Sequence, residues 1–280
     1  MKTRKQILAY WEEALLKSGV DSPRLSAQVL LAHVLGLFRL EMLLDATALV
    51  DEDASAQMDS LALRRMRGEP VAYLVGAKEF YGFSFQVGPG VLIPRPETEL
   101  LLDQMQERFK SDVALSVLDL GTGSGALAVS CAKLFPCARI VAMDVSQKAV
   151  QIARHNAGLH NVLGQTVFVR GDLVSALRLS SFDVILANLP YVPLTTKPAL
   201  SREVLEYEPE LALFSGHDGM DCYRSLARGV SGKMKSGAVL LCEIDGSQGA
   251  AMSDLFSPLA QSVRIVKDYA DLDRVAAVVF

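Results

Sequence analysis

From Ser116 onward, short apolar runs alternate with stretches of helical period. Val117-Leu118-Asp119 predicts a strand and Ala126 to Leu134 a helix. Arg139 to Met143 predicts a strand and Gln147 to Ala157 a helix. Strands follow at Val167-Phe168-Val169 and Phe182 to Ala187. Asp221 to Met234 reads as helix, Ala238 to Ile244 as strand and Ser253 to Leu259 as helix. Val263 to Val266 and Val275 to Phe280 are late strands with no helix between them. Such alternation predicts a parallel sheet covered by helices on both faces. The last two strands, joined only by Lys267 to Arg274, are predicted to pair antiparallel.

The first 75 or so residues differ, because their apolar positions keep a helical period throughout. Ile7, Leu8, Trp11, Leu15 and Leu16 make an amphipathic helix of Arg4 to Lys17, ended by Ser18-Gly19. Asp21-Ser22-Pro23 predicts a helix start, with a capping side chain and then proline in the first turn. Gly36 stops that helix, and Asp51 to Arg67 gives another. Four short helices are expected, packed as a structural or partner-docking bundle without visible chemistry. Residues 78–94 change character again: Phe80, Tyr81, Phe83, Phe85 and Val87, with glycines at 82, 88 and 90, predict a β-hairpin. Pro96 then opens a helix whose first turn carries Glu97 and Glu99.

Composition narrows the function classes. The chain has 280 residues, 50% of them apolar, with 28 Lys and Arg against 32 Asp and Glu. That is too apolar for a disordered chain. No apolar run approaches the roughly 18–20 residues a membrane helix needs. The stretch Val29 to Phe38 has ten residues and contains His33. Glu12 and Glu13 interrupt the N-terminal apolar run, unlike a signal peptide. A net charge of −4 argues against a surface built to coat nucleic acid. The cysteines at 131, 137, 222 and 242 form no C-x-x-C pair and are expected to be small buried hydrophobes. The four histidines have no zinc-ligand spacing, and no metal site is expected.

Chemistry is expected at the carboxyl ends of the strands. Asp119-Leu120-Gly121-Thr122-Gly123-Ser124-Gly125 joins the first strand to its helix, with glycines that let a ligand approach the backbone. The second strand ends at Asp144, 23 residues after Gly121, where a carboxylate can accept from ribose hydroxyls. Asp172 follows the third strand and can accept from an adenine amino group, while Leu173 covers the ring. This set suits a dinucleotide or S-adenosylmethionine. The fourth strand ends in Asn188-Leu189-Pro190-Tyr191. The Asn188 side-chain oxygen and the Leu189 carbonyl are two acceptors for a planar NH₂. Pro190 restricts Leu189 to extended geometry, and Tyr191 offers a flat wall.

Here the sequence resembles the release-factor glutamine methyltransferases over nearly its whole length. Val91-Leu92-Ile93-Pro94-Arg95-Pro96-Glu97-Thr98-Glu99 is the most specific match. Leu31 to Gly36, Lys78 to Gly82, Asp119 to Gly125, Glu208-Pro209, and Glu243-Ile244 with Gln248 are similar too. The resemblance implies a seven-stranded, Rossmann-like S-adenosylmethionine-dependent methyltransferase domain preceded by a small helical domain. Its divisions would be a helical partner-binding domain over 1–75, a hairpin linker over 76–95 and a catalytic domain over 96–280. The implied substrate is the Gly-Gly-Gln glutamine of class 1 peptide chain release factors, methylated on its side-chain amide nitrogen. By position, Gly121, Thr122, Gly123, Ser124, Gly125, Asp144, Asp172, Leu173 and Asn188 would contact the cofactor. Asn188, Leu189, Pro190 and Tyr191 would hold the amide. A cytoplasmic monomer that binds neither membrane nor nucleic acid directly is expected. One departure stands out: the family reads Asn-Pro-Pro-Tyr, and Leu189 replaces the first proline. Asn-Leu-Pro-Tyr resembles instead the rRNA adenine dimethyltransferases, which raises an adenine amino group as rival substrate.

Overall fold

Side-chain caps decide where the N-terminal helices begin. The computed structural model describes residues 1–177 and 182–280. They divide into one unit of Met1–Ala77 with Ser201–Tyr207 and another of Lys78–Leu200 with Glu208–Phe280. In the first unit, Thr3 starts the helix Arg4–Lys17 through a capping box. The Gln6 amide N–H donates to Thr3 Oγ1 at 3.3 Å, and the Thr3 N–H donates to Gln6 Oε1 at 2.9 Å. Asp51 caps Glu52–Met66 by accepting from the Ala54 N–H at 2.7 Å. Pro23 opens the helix Pro23–Leu35 and Gly36 closes it in the left-handed region, as expected. The expected capping side chain is absent there. Ser22 has φ of 52°, away from the extended geometry a capping hydroxyl needs.

Among the described residues this unit has more helices than the four expected. Arg39–Leu44, Val71–Val75 and, from late in the chain, Arg202–Tyr207 join it. Ile7, Trp11, Leu15, Leu30, Leu31, Met42 and Met58 form its core. Arg65, nearly buried, ion-pairs with Glu203 at 2.7 Å and fastens the late helix.

The second unit begins at Lys78, inside the expected hairpin of strands Ala77–Phe80 and Phe83–Gln86. Its large sheet has seven strands among the described residues. In chain order they are β1 (Ser116–Leu120), β2 (Arg139–Asp144), β3 (Thr166–Arg170), β4 (Phe182–Ala187), β5 (Met234–Glu243), β6 (Ser262–Lys267) and β7 (Asp273–Val279). Their spatial order is β6-β7-β5-β4-β1-β2-β3. The five strands from β5 to β3 run parallel. β7 pairs antiparallel with both β5 and β6, the arrangement read from their short connection.

Strand pleating sends alternate residues to opposite faces. Val117, Ile140, Val184 and Leu241 pack beneath the helices Glu99–Arg108 and Ala126–Leu134. Leu118, Leu120, Ile185 and Leu240 pack on Asp221–Val230 and Gly249–Phe256. Two boundaries move from their expected places. The helix from Asp221 ends at Val230, because Ser231-Gly232 breaks it and Met234 already opens β5. The next helix starts at Gly249 rather than Ser253. The cysteines also divide: Cys131 and Cys242 are buried, Cys222 is half-buried and Cys137 is exposed in the loop after Phe135-Pro136.

Candidate active site

The chain leaves β1 toward β2 on one side and leaves the neighbouring β4 toward β5 on the other. A crevice opens at such a switch point, and here the loops after β1 and β4 face each other across it. A side chain at Gly121 would come within 3.3 Å of Leu189 Cδ2 and 3.4 Å of the Asn188 carbonyl. A side chain there would press on the facing loop, and the φ of +73° favours glycine at this position.

A cavity of about 340 Å³ fills the crevice. It is lined by Gly121, Thr122, Gly123, Ser124, Asp144, Asp172, Leu173, Asn188, Leu189 and Pro190. These candidates come from the ends of all four of β1 to β4, and the fold brings them together. Two candidates stand apart from the lining. Gly125 lies behind the loop against Ala153. The Tyr191 ring turns its hydroxyl to Glu243 Oε1 at 2.9 Å.

Phe80, Val91, Leu92, Pro94, Thr98, Val145, Leu211 and Cys222 also line the cavity; the first five lie in stretches that resemble the family, the signal that could have marked them, and the other three carry none. Glu208 explains how two of the lining segments meet. Buried to 4% exposure, it accepts the Ile93 N–H at 3.1 Å and binds the Arg95 guanidinium. It thereby ties Val91–Pro94 to the stretch around Pro209–Ala212.

The loop after β1 is shaped by two carboxylates. Asp144 accepts from the Gly123 N–H at 3.0 Å and the Ser146 N–H at 2.8 Å. Burial pushes its carboxyl up, against the pull of those backbone N–H groups. Asp119 lies under the loop, fully buried. Its Oδ2 accepts the Thr122 hydroxyl at 2.6 Å and the Ala128 N–H at 3.2 Å, while Oδ1 has no partner. Burial pushes this carboxyl up to about 7.

A stability slope follows. An unfolded Asp titrates near pH ~3.9. Asp119 therefore contributes fully below that pH, and its contribution is lost as pH rises to about 7, where the folded group also ionises. Relative to Asp119→Asn, the wild type should lose melting temperature between pH 4 and pH 7 and then level off. Melting curves of both proteins across that range check it, and a flat difference contradicts it.

At β4, Asn188 Nδ2 donates to Thr98 Oγ1 at 3.0 Å. The side-chain oxygen is the other end of this carboxamide, and Asn188 and Leu189 both line the cavity. Gln248 Nε2 donates to the Tyr191 carbonyl at 3.0 Å and braces the far end of the motif.

Two domain families match the sequence: the PrmC N-terminal domain over residues 6–76 and the methyltransferase small domain over residues 96–208. The release factor glutamine methyltransferase of Nitratidesulfovibrio vulgaris is 39% identical over 277 residues, spanning 97% of this chain and 93% of that protein. That of Chlorobaculum tepidum is 39% identical over 264 residues, spanning 91% of this chain and 90% of that protein. A methyltransferase from Pyrococcus furiosus shares the fold, with TM-score 0.54 and 17% identity over 79% of this chain and 98% of that one.

Proposed function

Since the chain belongs to the release factor glutamine methyltransferase family, we propose that its crevice transfers a methyl group from S-adenosylmethionine to a release-factor glutamine. The orientation of Asn188 carries the proposal. With its NH₂ end turned to Thr98, its oxygen is the end left to accept from a substrate amide. An amide nitrogen is a poor nucleophile because its lone pair is delocalised into the carbonyl. Asn188 Oδ1 and the Leu189 carbonyl accept the two amide hydrogens and hold the nitrogen in one orientation. Leu189 presents the same main-chain carbonyl that a proline would, so the replacement spares this contact.

When bound, S-adenosylmethionine supplies an electrophilic sulfonium methyl. The residues fit such a group: a backbone turn open at Gly121 and Gly123, a carboxylate at Asp144 for ribose hydroxyls, and Leu173 beside Asp172 for the adenine. Transfer of that methyl to the amide nitrogen would break its bond to sulfur. The methylated nitrogen then releases one proton, which needs no strong base.

Residues 1–75 would dock the release factor, 76–95 link, and 96–280 carry the chemistry. The enzyme would work as a cytoplasmic monomer without direct contact to nucleic acid, in keeping with its net charge of −4. Among the described residues no helix is long and apolar enough to cross a membrane.

The test is to incubate the protein with S-adenosylmethionine and a class 1 release factor. The peptide carrying Gly-Gly-Gln should gain the mass of one methyl in place of hydrogen. Label appearing on rRNA alone, the adenine alternative, overturns the proposal.

A further inference from the structure

Leu211 is a large apolar side chain that is 63% exposed and yet lines the cavity. A single exposed leucine ordinarily needs no explanation. This one sits on a turn that is fixed within itself and at both ends. The Ala212 N–H donates to the Pro209 carbonyl at 2.9 Å, and the Leu213 and Phe214 N–H groups donate to the Glu210 carbonyl at 3.1 Å. Lys197 pairs with the Glu210 carboxylate. At the start of the turn, buried Glu208 is bound to the Ile93 N–H and the Arg95 guanidinium. At its end, the Val192 N–H donates to the Leu213 carbonyl at 2.9 Å, and the Ser215 N–H donates to the Val192 carbonyl at 3.1 Å.

Those anchors place the turn. Val192 directly follows Tyr191 and forms a parallel bridge with Phe214, so the turn leads into a segment alongside the Asn188–Tyr191 motif. Ile93 and Arg95 lead into Thr98, which accepts from Asn188. Both anchors thus belong to the end of the cavity where Asn188 and Leu189 sit. The cofactor candidates Asp144 and Asp172 lie at the ends of β2 and β3, on the other side of β1. Leu92, Pro94, Pro190 and Pro209 line the cavity as well, and none of them has a side-chain hydrogen-bonding group. A buried ion pair adds little to stability, and what Glu208 secures is a fixed apolar rim. Two glycines before a glutamine present bare main chain, on which a branched apolar side chain can lie directly. We infer that Leu211 is a specificity-determining residue that packs on the release-factor main chain flanking the target glutamine, and that Glu208 positions the turn presenting it. This inference rests on the function proposed above.

The test compares Leu211→Ala, Leu211→Met, Glu208→Ala and the double alanine variant on a class 1 release factor, with Leu159→Ala as control. Leu159 is 58% exposed and lies outside the cavity lining. Leu211→Ala should raise KM for the release factor by about tenfold, through the apolar contact it removes. Its kcat should stay within about threefold of wild type, because the contact is made equally before and during methyl transfer. Kd for S-adenosylmethionine should stay within about twofold. Leu211→Met, which restores the apolar volume, should return KM to within about threefold of wild type. Glu208→Ala should raise KM by a similar factor to Leu211→Ala. The double variant should be no worse than either single, because each change removes the same rim.

Unchanged KM in Leu211→Ala overturns the inference, as does an equal rise in Leu159→Ala. A raised Kd for S-adenosylmethionine with KM for the release factor unchanged overturns it too, since Leu211 would then cover the cofactor. Losses that multiply in the double variant overturn the positioning by Glu208. A purely structural role would instead move melting temperature, KM and Kd together. Should Glu208→Ala not fold, the Leu211 and Leu159 variants decide alone. A wild-type protein that leaves the release factor unmethylated overturns the proposed function itself, whereas an unaffected Leu211→Ala overturns only the role of the rim.

Discussion

Asn188→Ala is expected to lower kcat for release-factor methylation by about 10³-fold, while Kd for S-adenosylmethionine rises by no more than about tenfold. The two numbers separate because Asn188 faces two ligands unequally. Toward the cofactor it is one of many lining groups, with the Gly121–Ser124 turn, Asp144, Asp172 and Leu173 all still in place. Toward the substrate amide, in the proposed clamp, it would supply one of two acceptors. Alanine leaves the nitrogen held by the Leu189 carbonyl alone, free to rotate about that contact, with one N–H unpaired in a closed site. Orientation is most of what such an enzyme can offer a poor nucleophile, so its loss falls on the chemical step. Single-turnover kinetics with a release factor give the first number and calorimetry with S-adenosylmethionine gives the second. Full methylation by this variant removes the amide clamp as the mechanism. A matched loss of both makes Asn188 a cofactor-binding residue only.

How much of this was readable beforehand differs from residue to residue. The sheet and the ends of β1 to β4 were legible because parallel strands are continuous apolar runs and their loops are punctuated by glycine, aspartate and asparagine. That the candidate residues on those ends line one cavity needed only the rule that ligands gather there. Thr98 and Glu243 were not legible as site residues, although both sit inside or next to matched stretches. Their roles depend on hydrogen bonds spanning 90 and 52 residues of chain, Asn188 to Thr98 and Tyr191 to Glu243. Glu208 is hidden for the same reason, since its partner Ile93 lies 115 residues away. Tyr191 was expected as a wall of the cavity. A buried phenol seeks a hydrogen-bond partner, and Glu243 turns it aside. The helix Arg202–Tyr207 shows no apolar stripe, none of its residues being buried, and Arg65 rather than packing secures it. The left-handed Ser22 shows the limit of cap signals: the residue type was right and the backbone conformation was not.

Gly125→Ala is expected to produce a large loss of stability from a single methyl group, because two penalties meet at one atom. Gly125 has φ of +83°, where any Cβ is strained by about 1–2 kcal/mol. The added Cβ would also lie 2.9 Å from Ala153 Cα and 3.0 Å from Ala153 Cβ. Both belong to the helix Gln147–Leu159, and neither is the end of a flexible side chain that could swing away. Relief requires that helix, or the start of Ala126–Leu134, to move, at a further cost of about 1–3 kcal/mol. The sum of about 2–5 kcal/mol corresponds to a melting temperature lower by roughly 5–15 °C for a chain of this size. Gly237→Ala supplies the control. It has nearly the same backbone conformation, φ of +77°, with nothing within 4 Å of the added atom. It should pay only the conformational part, a drop of roughly 2–6 °C. Equal losses in the two variants would mean that backbone strain alone sets the requirement at 125. A larger loss at 125, accompanied by weaker binding of S-adenosylmethionine, would show that close packing against Ala153 holds the turn in the shape its ligand needs. Gly125 then serves the site without touching its contents, which is why it belongs to the glycine pattern of the loop and yet lies outside the cavity.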